Sequence, residues 1–194
     1  VIRLSLDTEF NEQNVYDNLI TFDIISVGLY EIDKVNLKKP FYAVSSEFNK
    51  LAAEKNRFVK DQILTKLFKP PYDDVSAQSL DDIRSNLKEY LLKIAEFNLD
   101  RKILEIWAKN GSYDNVVFCR LFGGMMEMRE FVNSIGFEKA VFCDLNTLPK
   151  PQSYQSKMPK ENHELSHNSA YDACYQAKII KWTEENISTI NSSL

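Results

Sequence analysis

The 194-residue sequence predicts one α/β domain spanning residues 1–194, built on a mixed five-stranded sheet with helices on both faces. Three observations predict it. The first 48 residues hold three β-branched and aromatic runs joined by short connections. A strongly periodic helical segment follows, and after it strand and helix patterns alternate to the C-terminal region.

The first strand, "VIRLSL", enters the polar stretch "NEQNVYDN", which reads as a turn. "TFDIISVGLYEI" and "PFYAVSSEF" supply the next two strands, and connections this short imply an antiparallel meander. Residues 49–68 read as a helix ended by Pro70 and Pro71. In "SLDDIRSNLKEYLLKIAEF" the apolar positions 80, 83, 87, 91 and 94 recur at three- and four-residue steps, with Ser79 and Asp82 as a capping-box variant. A strand over 102–108 leads to a helix from Tyr113 and then to a Met-rich segment. The last strand is "KAVFCDL", and a final helix covers about 169–185. Between them lies a loop from 146 to 167, and loops of that length in a compact domain are often functional.

Composition narrows the class. An apolar fraction of 44% and a charged fraction of 27% suit a globular protein. The longest apolar runs fall short of a membrane span, no secretory signal is visible at the N-terminus, and Cys119, Cys143 and Cys174 form no C-x-x-C pair. A cytoplasmic chain with reduced thiols and no membrane partner is the simplest expectation. The net charge of −4 argues against nucleic acid only if every carboxylate is bare. Positive charge also clusters. Lys50, Lys55, Arg57, Lys60, Lys66 and Lys69 stand against Glu54 and Asp61, and "KPQSYQSKMPK" (150–160) adds three lysines with an interleaved tyrosine. A solvated face and a polar loop explain both clusters equally well.

Four acids invite a chemical reading. Asp7 and Glu9 in "LSLDTEF" are two apart, so both project from one face of a strand, about 7 Å apart and within reach of a shared divalent cation. Leu4 and Leu6 take the opposite parity and enter the core. An amphipathic strand edge also produces D-x-E by chance. Asp114 opens an otherwise apolar helix, as a helix N-cap or as a ligand. In "SHNSAYDACYQA", Asn168 reads as the N-cap, Asp172 falls in the first turn where the helix dipole favours the ionised form, and His167 stands just outside. A capped helix beside a surface histidine is the alternative there.

The order D-x-E, D, H-x4-D resembles the DEDDh branch of the 3′–5′ exonucleases, which have the ribonuclease H-like (DnaQ-like) fold. "DTEF", "IISVG" (24–28), "FYAVSSEF" (41–48), "WAKNGSYDNVVFCRLFGGM" and "HNSAYDACYQA" together resemble the bacterial RNase AS-type 3′–5′ exoribonucleases over nearly the whole chain. RNase T, oligoribonuclease and polymerase proofreading domains are more distant relatives of that group. The stretch from 124 to 140 and the loop after Leu145 look longer than the family pattern, which bears on the substrate channel.

The resemblance implies a two-metal phosphodiester hydrolysis with Mg2+, or Mn2+ in its place, held by Asp7, Glu9, Asp114 and Asp172. Hard cations fit an oxygen-rich set. Asp7 would bridge both ions, and His167 would be the general base. His163 is the competitor, at a spacing that breaks the family pattern. Phe10 and Phe48 are candidates to stack on a terminal base, with core packing the alternative for both and the stronger one for Phe48, and Ser46, with Ser45, to meet the ribose. The family also implies single-stranded RNA digested from its 3′ end, an adenylate preference and a homodimer, for which "GGMMEM" (123–128) offers an adaptable surface. A 3′–5′ DNA exonuclease on the same fold, a non-catalytic RNA-binding module and a structural domain with capping acids are the rival readings.

Overall fold

Strands β1 (Ile2–Tyr16) and β2 (Leu19–Glu31) form a long antiparallel pair at the centre of the sheet. The structure is a computed structural model and describes residues 1–16, 19–33, 39–96, 102–149 and 156–191. Residues 11–16, expected within a turn, instead extend β1. Gln13 finds a partner across the ladder, its Nε2 donating to Asp23 Oδ2 at 2.8 Å. β3 (Phe41–Ser45) completes the expected antiparallel meander.

The next helical stretch is broken. α1 (Lys50–Lys55) is capped by the Asn49 side chain and stops at Asn56, whose ψ of 107° is extended. A π-helical turn, Val59–Leu64, follows. β4 (Ala77–Gln78) then pairs in parallel with β3, which makes the sheet six-stranded and not five-stranded. Two residues show no periodicity, so the sequence carries no signal for this strand. α2 (Leu80–Glu96) buries Ile83, Leu87, Leu91 and Ile94, and Asp82 N–H donates to Ser79 Oγ at 3.1 Å as the capping pattern requires.

β5 (Ile103–Ala108) runs parallel to β1, and β6 (Lys139–Asp144) runs parallel to β5. Between them lie α3 (Gly111–Leu121) and α4 (Met125–Ser134), the latter formed by the Met-rich segment. The final helix, α5 (Ser169–Asn191), is longer than expected. The sheet order is β4-β3-β2-β1-β5-β6.

Alternation along the strands splits the core between two faces. Leu4, Leu6, Val27, Leu29, Leu104 and Ile106 pack against α2, α3 and α4 through Leu87, Phe118 and Met128. On the other face, Ile32 packs with Ala177, Ile179 and Ile180 of α5, and Trp107 joins them. A smaller cluster ties Ile25 and Val44 to Ala53, Val59 and Ile63. All three cysteines are free. Among the described residues no helix is long and apolar enough to cross a membrane. Of the basic residues in 50–69, only Lys66 is buried, and the rest form a solvated face. In the 150–160 stretch, residues 150–155 lie outside the described residues, and Lys157 and Lys160 are exposed.

Candidate active site

The side chains of Asp7 and Glu9 leave β1 on the face covered by α5. The register slips between Glu9 and Phe10, so the strand is irregular directly after the two acids. Gln176, one turn beyond Asp172 on α5, donates through Nε2 to Asp7 Oδ1 at 2.8 Å, and its Oε1 accepts from the Lys109 N–H at 3.0 Å. One amide thus joins β1, α5 and the end of β5.

Asp114 arrives from the opposite side of the sheet. α3 begins at Gly111 after Asn110, which takes a left-handed φ of 57°, so Asp114 lies in the first turn and not at the cap. Helix capping is therefore not its role. Its Oδ1 accepts from both the Thr8 N–H at 2.8 Å and the Thr8 hydroxyl at 2.7 Å. Thr8 stands between Asp7 and Glu9, so this contact fixes Asp114 beside them.

The third group comes from the start of α5. Asn168 Oδ1 accepts from the Tyr171 N–H at 3.2 Å, the N-cap expected from the sequence. Its Nδ2 donates to Lys66 O at 2.9 Å and to Tyr42 Oη at 3.2 Å. The preceding residue, His167, has φ of 67° and donates its backbone N–H to Asp172 Oδ2 at 2.8 Å. That backbone turn folds the imidazole over the helix end, with Nδ1 4.0 Å from Glu9 Oε1. Glu9, His167 and Asp172 each offer a ligand atom within 4.8 Å of the others. Phe58 meets the His167 ring edge-on at 5.0 Å between centroids.

Electrostatics marks the cluster as short of positive charge. Burial, then repulsion from Glu9, Asp172 and Asp114, pushes the Asp7 carboxyl well above its ordinary value, against the Gln176 bond. Burial and the neighbouring Asp172 and Asp114 do the same to Glu9, with Lys66 opposing. Burial lifts Asp114 to about 6 against the Thr8 hydrogen bonds, and lifts Asp172 to about 6 against the His167 N–H. His167 is shifted down, chiefly by burial and then by the charge of Lys66. Several carboxylates forced together in a buried place suit a divalent cation, and an all-oxygen acid set suits a hard one. Magnesium therefore fits the residues present.

All five candidates line one cavity of about 280 Å³, together with Phe10, Phe58, Tyr113, Lys109 and Gln176. Two sequence candidates for substrate contact lie elsewhere. Phe48 packs against the cluster around Ile25 and Val44, because its strand ends on the far side of β2 from the acids. Ser46 is exposed outside the cavity, with its N–H bonded to Gln78 O at 2.7 Å, and buried Ser45 accepts from the Glu47 N–H at 3.0 Å. His163 is exposed and also lies outside the cavity lining. A larger cavity of about 680 Å³ flanks α5 beside Tyr42, Tyr72 and Trp182, and none of the five lines it.

Sequence reasoning missed Gln176, Phe58, Tyr113 and Lys66. Gln176 was within reach, since it lies four residues after Asp172 on one helical face. Nothing in the local sequence separates Lys66 from its solvated neighbours.

Residues 3–183 match the family model described as the 3′-5′ exoribonuclease Rv2179c-like domain. Two curated relatives from Mycobacterium tuberculosis are similar, 3′-5′ exoribonuclease Rv2179c of strain H37Rv and 3′-5′ exoribonuclease MT2234.1 of strain CDC 1551. Each is 34% identical over 125 residues, which is 64% of this chain and 63% of the relative's length. With its acids and histidine gathered as above and a family match over nearly its whole length, the chain belongs to the Rv2179c-like 3′-5′ exoribonuclease domain family.

Proposed function

We propose that this chain is a metal-dependent 3′–5′ exoribonuclease of the DEDDh type on a ribonuclease H-like fold, removing nucleotides from the 3′ end of single-stranded RNA. The observation that carries the reading is the convergence of Asp7, Glu9, Asp114, Asp172 and His167 on one cavity from three separate parts of the chain. A structural domain gains nothing from burying four mutually repelling acids, and an RNA-binding module has no use for them beside a histidine.

Asp7, Glu9, Asp114 and Asp172 would hold two Mg2+ ions, or Mn2+ in their place, and such ions would supply charge neutralisation at the leaving oxygen and lower the pKa of a bound water. Gln176 orients Asp7, and Thr8 anchors Asp114 through its Oδ1. His167 accepts the proton of the attacking water, and its depressed affinity for protons keeps it neutral and ready to do so. Asp172 fixes the histidine backbone through the 2.8 Å bond.

Aromatic rings wall the cavity for the terminal base. Phe10 stacks with Tyr113 at 6.2 Å between centroids and an interplanar angle of 23°, and Phe58, 53% exposed, lines the same cavity. Base stacking on such rings contributes roughly 1–3 kcal/mol per base and tolerates any sequence. Adenylate preference and a cytoplasmic location accompany the family reading. A homodimer does too, with Met125 and Met126 exposed on α4 as its adaptable surface.

The test is incubation of the protein with 5′-labelled RNA and DNA oligomers of matched sequence, ended in A, C, G or U/T, with Mg2+ or with EDTA. RNA shortened from its 3′ end, fastest at 3′-A and stopped by EDTA, is expected. Faster loss of DNA would make it a deoxyribonuclease on the same site, and binding without shortening would make it an RNA-binding module.

A further inference from the structure

We propose that Lys66 is a positioning residue for His167, holding the Ser166 carbonyl before it and the Asn168 side chain after it so that the imidazole stands over Glu9. The inference rests on the reading of His167 as the proton acceptor.

Lys66 is set apart from the basic residues around it. Its neighbours in the 50–69 cluster are solvated, whereas Lys66 is only 8% exposed. A buried ammonium persists only where its donors are used, because leaving water is costly for a charge. Here its Nζ donates to two main-chain carbonyls of the loop before α5, Ser166 O at 2.7 Å and His163 O at 3.2 Å. On the other side of the histidine, the Lys66 carbonyl accepts from Asn168 Nδ2 at 2.9 Å. The same asparagine caps α5 through its Oδ1. Residues 166 and 168 are thus both tied to Lys66, and residue 167 lies between them.

What the bracket secures is a backbone state that a histidine seldom adopts. His167 is one of two non-glycine residues with a left-handed φ among the described residues. Left to itself, the 163–167 loop would relax toward the ordinary right-handed or extended regions, because an L side chain crowds its own backbone there. Such a relaxation would swing the ring away from Glu9. One ammonium gathering the carbonyls of 163 and 166 acts with the Asn168 N–H to Leu165 O bond at 3.0 Å and the His167 N–H to Asp172 bond at 2.8 Å to select the turn with φ of 67°. Lys66 does not line the cavity, and its hydrogen bonds reach the site through the residues on either side of His167.

The experiment compares wild type, Lys66→Met, His167→Ala and the double variant on a 3′-labelled single-stranded RNA with saturating Mg2+. Lys66→Met should lower kcat about 10- to 100-fold with KM within about twofold, and should add little to the loss in the His167→Ala background, since coupled residues are non-additive. A second reading needs no turnover. The protein holds two histidines, so a His163→Ala background leaves one imidazole signal for NMR. That signal, and the 167 amide, should shift on Lys66→Met in the metal-free protein. If Lys66→Met does not fold, Lys66→Gln, a shorter and uncharged donor, is measured in its place. Wild-type kcat in the lysine variant, or losses that multiply in the double variant, would overturn the inference while the exonuclease reading stood. A wild-type protein that shortened no nucleic acid would overturn both.

Discussion

Thr8 and Asp114 meet through two hydrogen bonds on a single oxygen, from the Thr8 N–H at 2.8 Å and from its hydroxyl at 2.7 Å. The contact joins the middle of β1 to the first turn of α3 across 106 residues of sequence. It also places the one residue between Asp7 and Glu9 in contact with the third acid. Thr8→Val keeps shape and the backbone donor but removes the hydroxyl, so Asp114 loses one bond and gains freedom. A loss of about 1 kcal/mol is expected by denaturant titration. A larger drop in kcat than in binding of the RNA should accompany it, because only the acid's placement changes. Unchanged stability and turnover would show that the N–H bond alone suffices.

The four acids make stability depend on pH in a defined direction. Asp114 and Asp172 carry folded values near 6, above the roughly 3.9 of an unfolded aspartate, and Asp7 and Glu9 are also raised. A carboxyl raised in the folded state favours folding below its unfolded value, and that advantage is lost as pH rises through the folded value. Without metal, therefore, wild type should lose Tm between pH 4 and 7 relative to Asp7→Asn and Asp172→Asn, and Mg2+ at pH 7 should restore it. Both variants should have no measurable hydrolysis, since an amide does not balance a divalent charge. Thermal melts at several pH values with EDTA or Mg2+ read this directly. A wild type that stayed level with Asp7→Asn across the range would remove the repulsion from the account.

The two histidines separate cleanly. His167 lies over Glu9 and Asp172, while His163 is exposed and contributes a main-chain carbonyl to Lys66. His167→Ala should cut the rate by about 10²–10⁴, the usual share of a general base, and His163→Ala should leave it nearly unchanged. The rate should fall on the acid side as the ring gains a proton, at a pH below the ordinary histidine value because burial and Lys66 depress it. Single-turnover kinetics across pH for both variants check this. Equal losses would mean that the 163–167 loop, and not one ring, matters.

How much of this was legible depended on the kind of signal. The α2 face, the Ser79–Asp82 cap, the D-x-E parity and the Asn168 cap are local, and each appears where period or spacing places it. β4 and the break at Asn56 were not legible, since the first is two residues of pairing and the second is a single backbone angle. Phe48 shows the same limit at the site. The sequence places it at the end of a third strand beside Glu9, but β3 stops at Ser45 on the far side of β2 from β1, and Phe48 packs with Ile25. Lys66 is the clearest case of what sequence hides. It is one of six basic residues in a charged stretch, and only the approach of a loop about 100 residues away makes it different.

Gly28 sets how closely the second half of the site approaches the first. It lies opposite Asp7 in the β1–β2 ladder, and α5 begins directly above it. A methyl group built there would fall 2.1 Å from Ser169 O and 2.6 Å from Ala170 N. Both are backbone atoms of the first helical turn, so no side chain can rotate aside. The φ of this glycine is not the constraint, because the space is. Gly28→Ala must therefore push the start of α5 away from β2, carrying Asp172 and the His167 turn with it. Overpacking of this sort destabilises by roughly 1–3 kcal/mol. The sharper consequence is functional: an Asp172 moved by an ångström no longer shares a cavity edge with Glu9, so Mg2+ binding and turnover should fall together. Calorimetric titration of Mg2+ alongside RNA hydrolysis distinguishes this from simple loss of fold. A Gly28→Ala protein with wild-type metal affinity would show that the helix can shift without opening the site.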